Sequence, residues 1–246
     1  MATVVCSGDF ARMTFLSVKA LRQYEEAGLL EPVAIDRALG YRKYAMAQVP
    51  MAQVIRRLCA TGMPLDDVKA MLKAGDLPAS LRQLLEGPSA NAQIELRGLA
   101  SKRVLAIRER VSADQVDLWR RAAFEELRAA FHHGRAHRAG ADASLRASDL
   151  FEHDVGEVTA FVPIEGAADP EGRMVEIVLP ASEVAVITHE GPLDTVDQSF
   201  AALGTYVNDH TMGMAGPILE NYLVGPHDAS DERAHRTEIG WPIFRS

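Results

Sequence analysis

The chain has 246 residues, 48% of them hydrophobic and 24% charged, with a net charge of −8. This is the make-up of one large or two ordinary globular domains, and it is too apolar for a disordered segment. No apolar run reaches the roughly 18 residues of a membrane span. The opening MATVVCSGDF does not read as a signal peptide, and Cys6 and Cys59 alone cannot build a disulfide framework, so a cytoplasmic protein is expected.

The charge is unevenly spread. Residues 1–75 carry ten Lys/Arg against seven Asp/Glu, and the remainder carries sixteen against twenty-seven. A basic head on an acidic body suits a phosphate-facing segment joined to one that is not.

In the head, Phe10, Ala11 and Met13 mark a first short helix. A second begins after Ser17, a natural N-cap, and runs through Val18, Leu21 and Tyr24 to a stop at Gly28. Two short helices and a tight turn predict a helix-turn-helix, its second helix able to enter a major groove with Lys19, Arg22 and Gln23. ALGYRKYA then predicts a wing with Arg42 and Lys43 at its tip. A third helix carries Val54, Ile55 and Leu58 to Gly62, and a fourth opens at Pro64 and carries Val68, Met71 and Leu72 to Gly75.

The string S-V-K-x-L-R-x-Y-E-E-x-G-L-L, then G-Y-R-x-Y, I-R-R-L-x-x-x-G and L-D-D-V-K-x-M-L, resembles the MerR family of winged-helix regulators over residues 8–75. The resemblance implies DNA contacts from Ser17, Lys19, Arg22, Tyr24, Tyr41 and Arg42. The sequence departs from the family at several points. Phe15 stands where the inter-helix turn usually has glycine, and Gln23 where a second aromatic precedes Tyr24. Ser7 replaces an apolar residue, and Ala45 replaces the polar cap of the third helix. Pro50 falls within that helix, where it would cost about 3 kcal/mol unless the helix starts later.

The family usually dimerises through a long helix after the head. Here residues 76–92, DLPASLRQLLEGPSANA, allow one short helix after Pro78 through Leu81, Leu84 and Leu85, ended by Gly87-Pro88. That is too short for a coiled coil, so any homodimer must use other surfaces.

From residue 93 the period changes. Leu105, Ile107 and Val111 share one face of a strand, and EVAVITHEGP repeats the pattern about eighty residues later. A helix pattern follows each strand, ADQVDLWRRAAFEELRAAF and LDTVDQSFAALGTYVNDH, and then a strand ending in proline, VTAFVPI and TEIGWPI. Pro163 and Pro242 lie 79 residues apart. The expected fold class is therefore α+β: a winged helix-turn-helix over 1–75, a connector over 76–92, and a duplicated β-α-β-β body over 93–246, its copies at about 93–165 and 175–244. The alternative is two unrelated α+β segments with chance similarity.

The second copy, P-x-x-E-V-A-V-x-x-H-E-G-P, then A-G-P-x-x-E-x-Y-L and R-T-E-I-x-W-P-I, resembles the GyrI-like ligand-binding domain. That resemblance spans residues 93–244 and implies a cleft between the copies for bulky aromatic, often cationic compounds, with a buried glutamate on the last strand. Glu238 matches that glutamate. In an apolar strand beside Ile239 and Trp241 it needs a partner, which can be a ligand cation or a neighbour such as Arg236. Tyr222, Trp119, Phe161 and Trp241 are stacking candidates that core packing could equally claim.

His132, His133 and His137 suit a helix end better than a metal site. No P-loop, G-x-S-x-G or H-E-x-x-H motif occurs, so neither cofactor, metal nor catalytic residue is expected. The leading expectation is a regulator that binds promoter DNA and a hydrophobic or cationic effector, without membrane contact. The alternatives are a drug-sequestering resistance protein with a degenerate head, and a small hydrolase using Glu238 as general base.

Overall fold

A computed structural model describes residues 3–36, 40–85, 93–210 and 212–244. The head contains β1 (Val4–Cys6), α1 (Ser7–Thr14), α2 (Val18–Glu26), β2 (Ala34–Ile35), β3 (Arg42–Ala45), α3 (Val49–Ala60), α4 (Leu65–Ala74) and α5 (Ala79–Leu85). Ser17 caps α2 as its position predicts, its Oγ accepting the Ala20 N–H at 3.1 Å. The three short strands form a sheet in the order β1-β3-β2. Gly40, at φ 70°, turns the chain just before β3. Arg42 and Lys43 therefore lie on that strand and not at the wing's tip, which falls partly on residues outside those described.

Pro50 does not break a helix. A 3-10 turn over Met46–Gln48 precedes α3, and Pro50 occupies the helix's first turn, where no intrahelical N–H bond is lost. Ala45 has no polar side chain to cap the turn, and the bond made there runs the other way, Gln48 Oε1 accepting the Ala45 N–H at 2.9 Å. The connector helix α5 buries Leu84 in the head's core, with Leu81 packed against it, instead of projecting as a dimer arm. The expected stop at Gly87-Pro88 lies outside the described residues.

The body runs β4 (Ile94–Leu99), β5 (Lys102–Ser112), α6 (Val116–His132), β6 (His137–Arg138), β7 (Asp142–Arg146), α7 (Ser148–His153), β8 (Val155–Glu165), β9 (Val175–Leu179), β10 (Ser182–Glu190), α8 (Val196–Asp209), β11 (Ile218–Val224) and β12 (Arg236–Pro242). Its antiparallel sheet has the order β4-β10-β12-β11-β7-β8-β5-β9. The copies meet at β7 and β11, as a duplication predicts. Sequence periodicity did not show that each copy's leading strand crosses over: β4 pairs with β10, and β9 with β5.

Strand register sorts the side chains onto two faces. Leu105, Ile107, Val158, Ala160 and Val162 lie beneath α6, packed on Trp119, Phe124 and Leu127. In the second copy Ile187, Ile218, Ile239 and Trp241 lie beneath α8. Phe161, Ala143, Leu219 and Asn221 occupy the opposite face.

The core of the head is continuous with that of the second copy. Phe10, Met13, Leu16 and Ile55 of the head join Phe200, Leu203 and Trp241 in one buried cluster. The Arg12 guanidinium lies 4.3 Å from the Trp241 ring centroid and donates to the Gly216 carbonyl at 3.1 Å. Gly204 on α8 permits the close approach, since a Cβ there would sit 2.5 Å from Met13 Cγ and 3.3 Å from Trp241 Cζ3. Gly204→Ala is therefore expected to cost about 1–3 kcal/mol by overpacking, despite the helix propensity alanine gains. A urea midpoint equal to wild type would show that α1 and α8 do not meet this way.

Candidate functional site

The DNA-facing candidates are only partly assembled on one surface. Lys19 and Arg22 are exposed on α2, and Tyr41 is 60% exposed before β3. Ser17 serves as the cap. Arg42 is half-buried and ion-paired with Glu25, so it also braces the wing against α2. Tyr24 departs from expectation: it is 5% exposed, packed in the head core beside Cys59, with its phenol pushed upward by burial. An aromatic at that helical position faces α3, which explains its place in the core. Lys19 itself pairs with Asp154 of the body at 3.6 Å.

The effector candidates are divided between the two sheet faces. Glu238 and Phe161 lie on the face opposite the helices, while Tyr222, Trp119 and Trp241 lie on the helix face. Glu238 is not an isolated buried carboxylate. It accepts from Arg97 Nη1 at 2.8 Å and Asn221 Nδ2 at 3.0 Å, because the crossed-over β4 brings Arg97 to β10 beside it. Its partner is thus Arg97, not Arg236, which reaches Glu190 instead. Trp241 belongs to the head–body contact, and Trp119 Nε1 donates to Glu109 at 2.7 Å. Phe161 is packed in a small core with Val104, Ala106 and Ala143.

The buried acid is Glu220, which sequence reasoning passed over. It lies on β11 where the two copies meet, with a side chain 2% exposed. Arg146 Nε donates to it at 3.0 Å, Arg120 Nη1 at 3.2 Å and Ser144 Oγ at 3.2 Å, and the Tyr222 hydroxyl donates as well. Burial drives the Glu220 pKa up, but Arg146, Arg120 and the bond from Tyr222 outweigh it and hold the carboxyl below its usual range. Burial, aided by the charge on Glu220, raises the Tyr222 phenol against the opposing pull of Arg120. The signal available beforehand was the alternation in ILENYLV: Ile218, Glu220 and Tyr222 share one face, so a buried Tyr222 implies a buried Glu220.

Above this cluster lies a groove of about 790 Å³, between α6 and the segment after β11, lined by Arg120, Phe124, Arg128, Phe131, Tyr222 and His235 among others. Phe124 meets Tyr222 edge-on at 5.6 Å, and the Arg120 guanidinium lies 5.2 Å from the Tyr222 ring centroid. Asp142, also at the groove, is held by Arg128 and Arg138. Arg128 Nη1 is buried without an acceptor among the described residues. The groove therefore offers aromatic faces, a compensated carboxylate and a guanidinium N–H still to be satisfied. His132, His133 and His137 are exposed, and no group of metal-binding side chains occurs among the described residues. Nor is any helix among them long and apolar enough to cross a membrane.

Residues 92–243 match the GyrI-like small molecule binding domain, and residues 7–75 match the MerR HTH family regulatory protein. The transcriptional regulator BrlR of Pseudomonas aeruginosa is 27% identical over 232 residues, covering 81% of this chain and 84% of that protein. The multidrug-efflux transporter 1 regulator of Bacillus subtilis is 34% identical over 70 residues, 28% of this chain and 24% of that protein. Among solved structures, the EcmrR chain of a cryo-EM EcmrR–DNA complex has a TM-score of 0.55 at 18% identity, covering 98% of this chain and 100% of that chain, which shows a shared fold. The chain belongs to the GyrI-like small molecule binding domain family and carries a MerR-type head, the make-up of a small-molecule-responsive transcriptional regulator.

Proposed function

We propose that the head binds promoter DNA in the cytoplasm through Lys19, Arg22, Tyr41 and Arg42, and that the groove above Glu220 holds the effector. The observation that carries this reading is the junction of the two copies, where a solvent-open groove of about 790 Å³ sits over a fully partnered carboxylate. Phe124, Tyr222 and Phe131 supply apolar surface for a bulky aromatic compound. A cationic group on it would compete with Arg120 for Glu220 and Tyr222, and an acceptor would satisfy Arg128. The body works as a binding module and not as a hydrolase. To act as a base, Glu238 would first have to give up Arg97 and Asn221.

The test is a titration of the chain onto a DNA fragment from its own upstream region at several salt concentrations. Lys19→Ala and Arg22→Ala are each expected to weaken binding and to lower the salt slope by about one. Specific binding that both variants retain unchanged would remove these residues from the interface. A second reading, sequestration of the compound without DNA binding, is favoured by one observation: α5 folds back on the head, so no dimer arm extends from the described residues. That reading predicts a monomer that binds ligand and leaves the fragment unshifted.

A further inference from the structure

We propose that Phe15 and Arg146 form the link through which the groove above Glu220 sets the position of the helix-turn-helix. The proposal rests on the effector reading of that groove. Phe15 lies between α1 and α2 at φ 57°, a left-handed conformation that favours glycine and strains a bulky side chain. Its ring has a specific seat. It meets Phe200 of α8 edge-on at 4.9 Å and Phe151 of α7 at 6.0 Å. Two guanidinium groups also approach it, Arg146 at 5.0 Å and Arg56 at 5.7 Å from the ring centroid.

Each guanidinium is tied to a buried carboxylate of the body. Arg56 pairs with Asp197 at 2.9 Å, and Arg146 pairs with Glu220 at 3.0 Å. Arg146 is 5% exposed and belongs to β7, so a single rigid, planar cation touches both the acid beneath the groove and the turn of the head. A ligand that draws Glu220 away from Arg146 changes what holds Phe15. Just past that turn, Lys19 at the start of α2 is paired with Asp154 at the end of α7. Loosening the turn frees Lys19 for phosphate, so effector binding is expected to raise DNA affinity.

Amide hydrogen exchange on the full chain tests the link. Arg146→Met and Glu220→Gln are each expected to raise exchange across residues 7–26 several-fold, although Glu220 bonds to no residue of the head. Exchange in β5 and β8 serves as the control for general unfolding. Should Arg146→Met fail to fold, Arg146→Lys keeps the charge while losing the planar contact with the ring, and is judged by the same segment. In the Phe15→Leu background the added effect of Glu220→Gln on that segment should vanish. Exchange at 7–26 that stays at the wild-type level when Glu220→Gln loosens β7 and β11 would overturn the proposal. Tetraphenylphosphonium added to wild type is the separate ligand arm. If it does not bind, yet Glu220→Gln still loosens the head, the link is supported and this choice of effector chemistry fails.

Discussion

Asp197→Ala is expected to destabilise the protein by about 3–5 kcal/mol and to uncouple the head from the body, because it removes the fully buried carboxylate that pairs with two arginines of the head. Asp197 sits in the first turn of α8 with a side chain 0% exposed. Arg56 reaches it at 2.9 Å and Arg57 at 2.7 Å, and Gln53 Nε2 donates to its carbonyl at 2.7 Å. All three partners come from α3 of the head. Alanine would leave two largely buried guanidinium groups facing one another without a counter-charge. Urea unfolding followed by tryptophan fluorescence and by far-ultraviolet circular dichroism is the measurement. Wild type should give one coincident transition, since its head and second copy share a core. The variant should give separated transitions, with the first at much lower denaturant. A single transition at the wild-type midpoint would mean that head and body are not held together through α3 and α8.

Glu220→Gln is expected to produce the second large loss, with a definite pH dependence. At neutral pH the amide leaves the buried Arg120 and Arg146 guanidinium groups sharing the exposed Asp117, at 3.0 and 3.7 Å, as their remaining carboxylate, at a cost of about 3 kcal/mol. Although burial alone would raise the Glu220 pKa, Arg146, Arg120 and Tyr222 depress it in the folded state. The folded protein therefore favours the ionised carboxylate more than the unfolded chain does. Stability from this group is fully present above the unfolded value, about 4.3, and is lost as pH falls through the lower folded value. The wild-type and variant denaturation curves should thus lie far apart at pH 7 and converge below about pH 4. A gap that does not narrow on acidification would show that Glu220 is not the charge holding those arginines.

The architecture was legible because its signals are local. Ser17 before Val18, Gly28 after Glu26 and Gly75 after Ala74 punctuate the head as capping chemistry requires. The two copies declare themselves through matched strand, helix and proline positions. The candidate site was less legible, since it depends on which face of a sheet a residue occupies and on strands far apart in sequence. Glu238 drew attention as a charge in an apolar strand, but Arg97 arrives from a strand whose crossover leaves no periodic trace. Glu220 was readable in retrospect from its spacing to Tyr222, yet its two arginines lie 74 and 100 residues away. Phe15 and Pro50 both break a local rule. Pro50 proves harmless because α3 starts at Val49, whereas Phe15 breaks the rule in order to reach another domain.

Effector and DNA are expected to be linked, each raising the protein's affinity for the other. Calorimetric titration of the full chain with tetraphenylphosphonium, free and saturated with its upstream DNA fragment, measures that linkage. The expected result is tighter effector binding in the presence of DNA, by the same factor by which the effector tightens DNA binding. Identical effector affinities with and without bound DNA would contradict it.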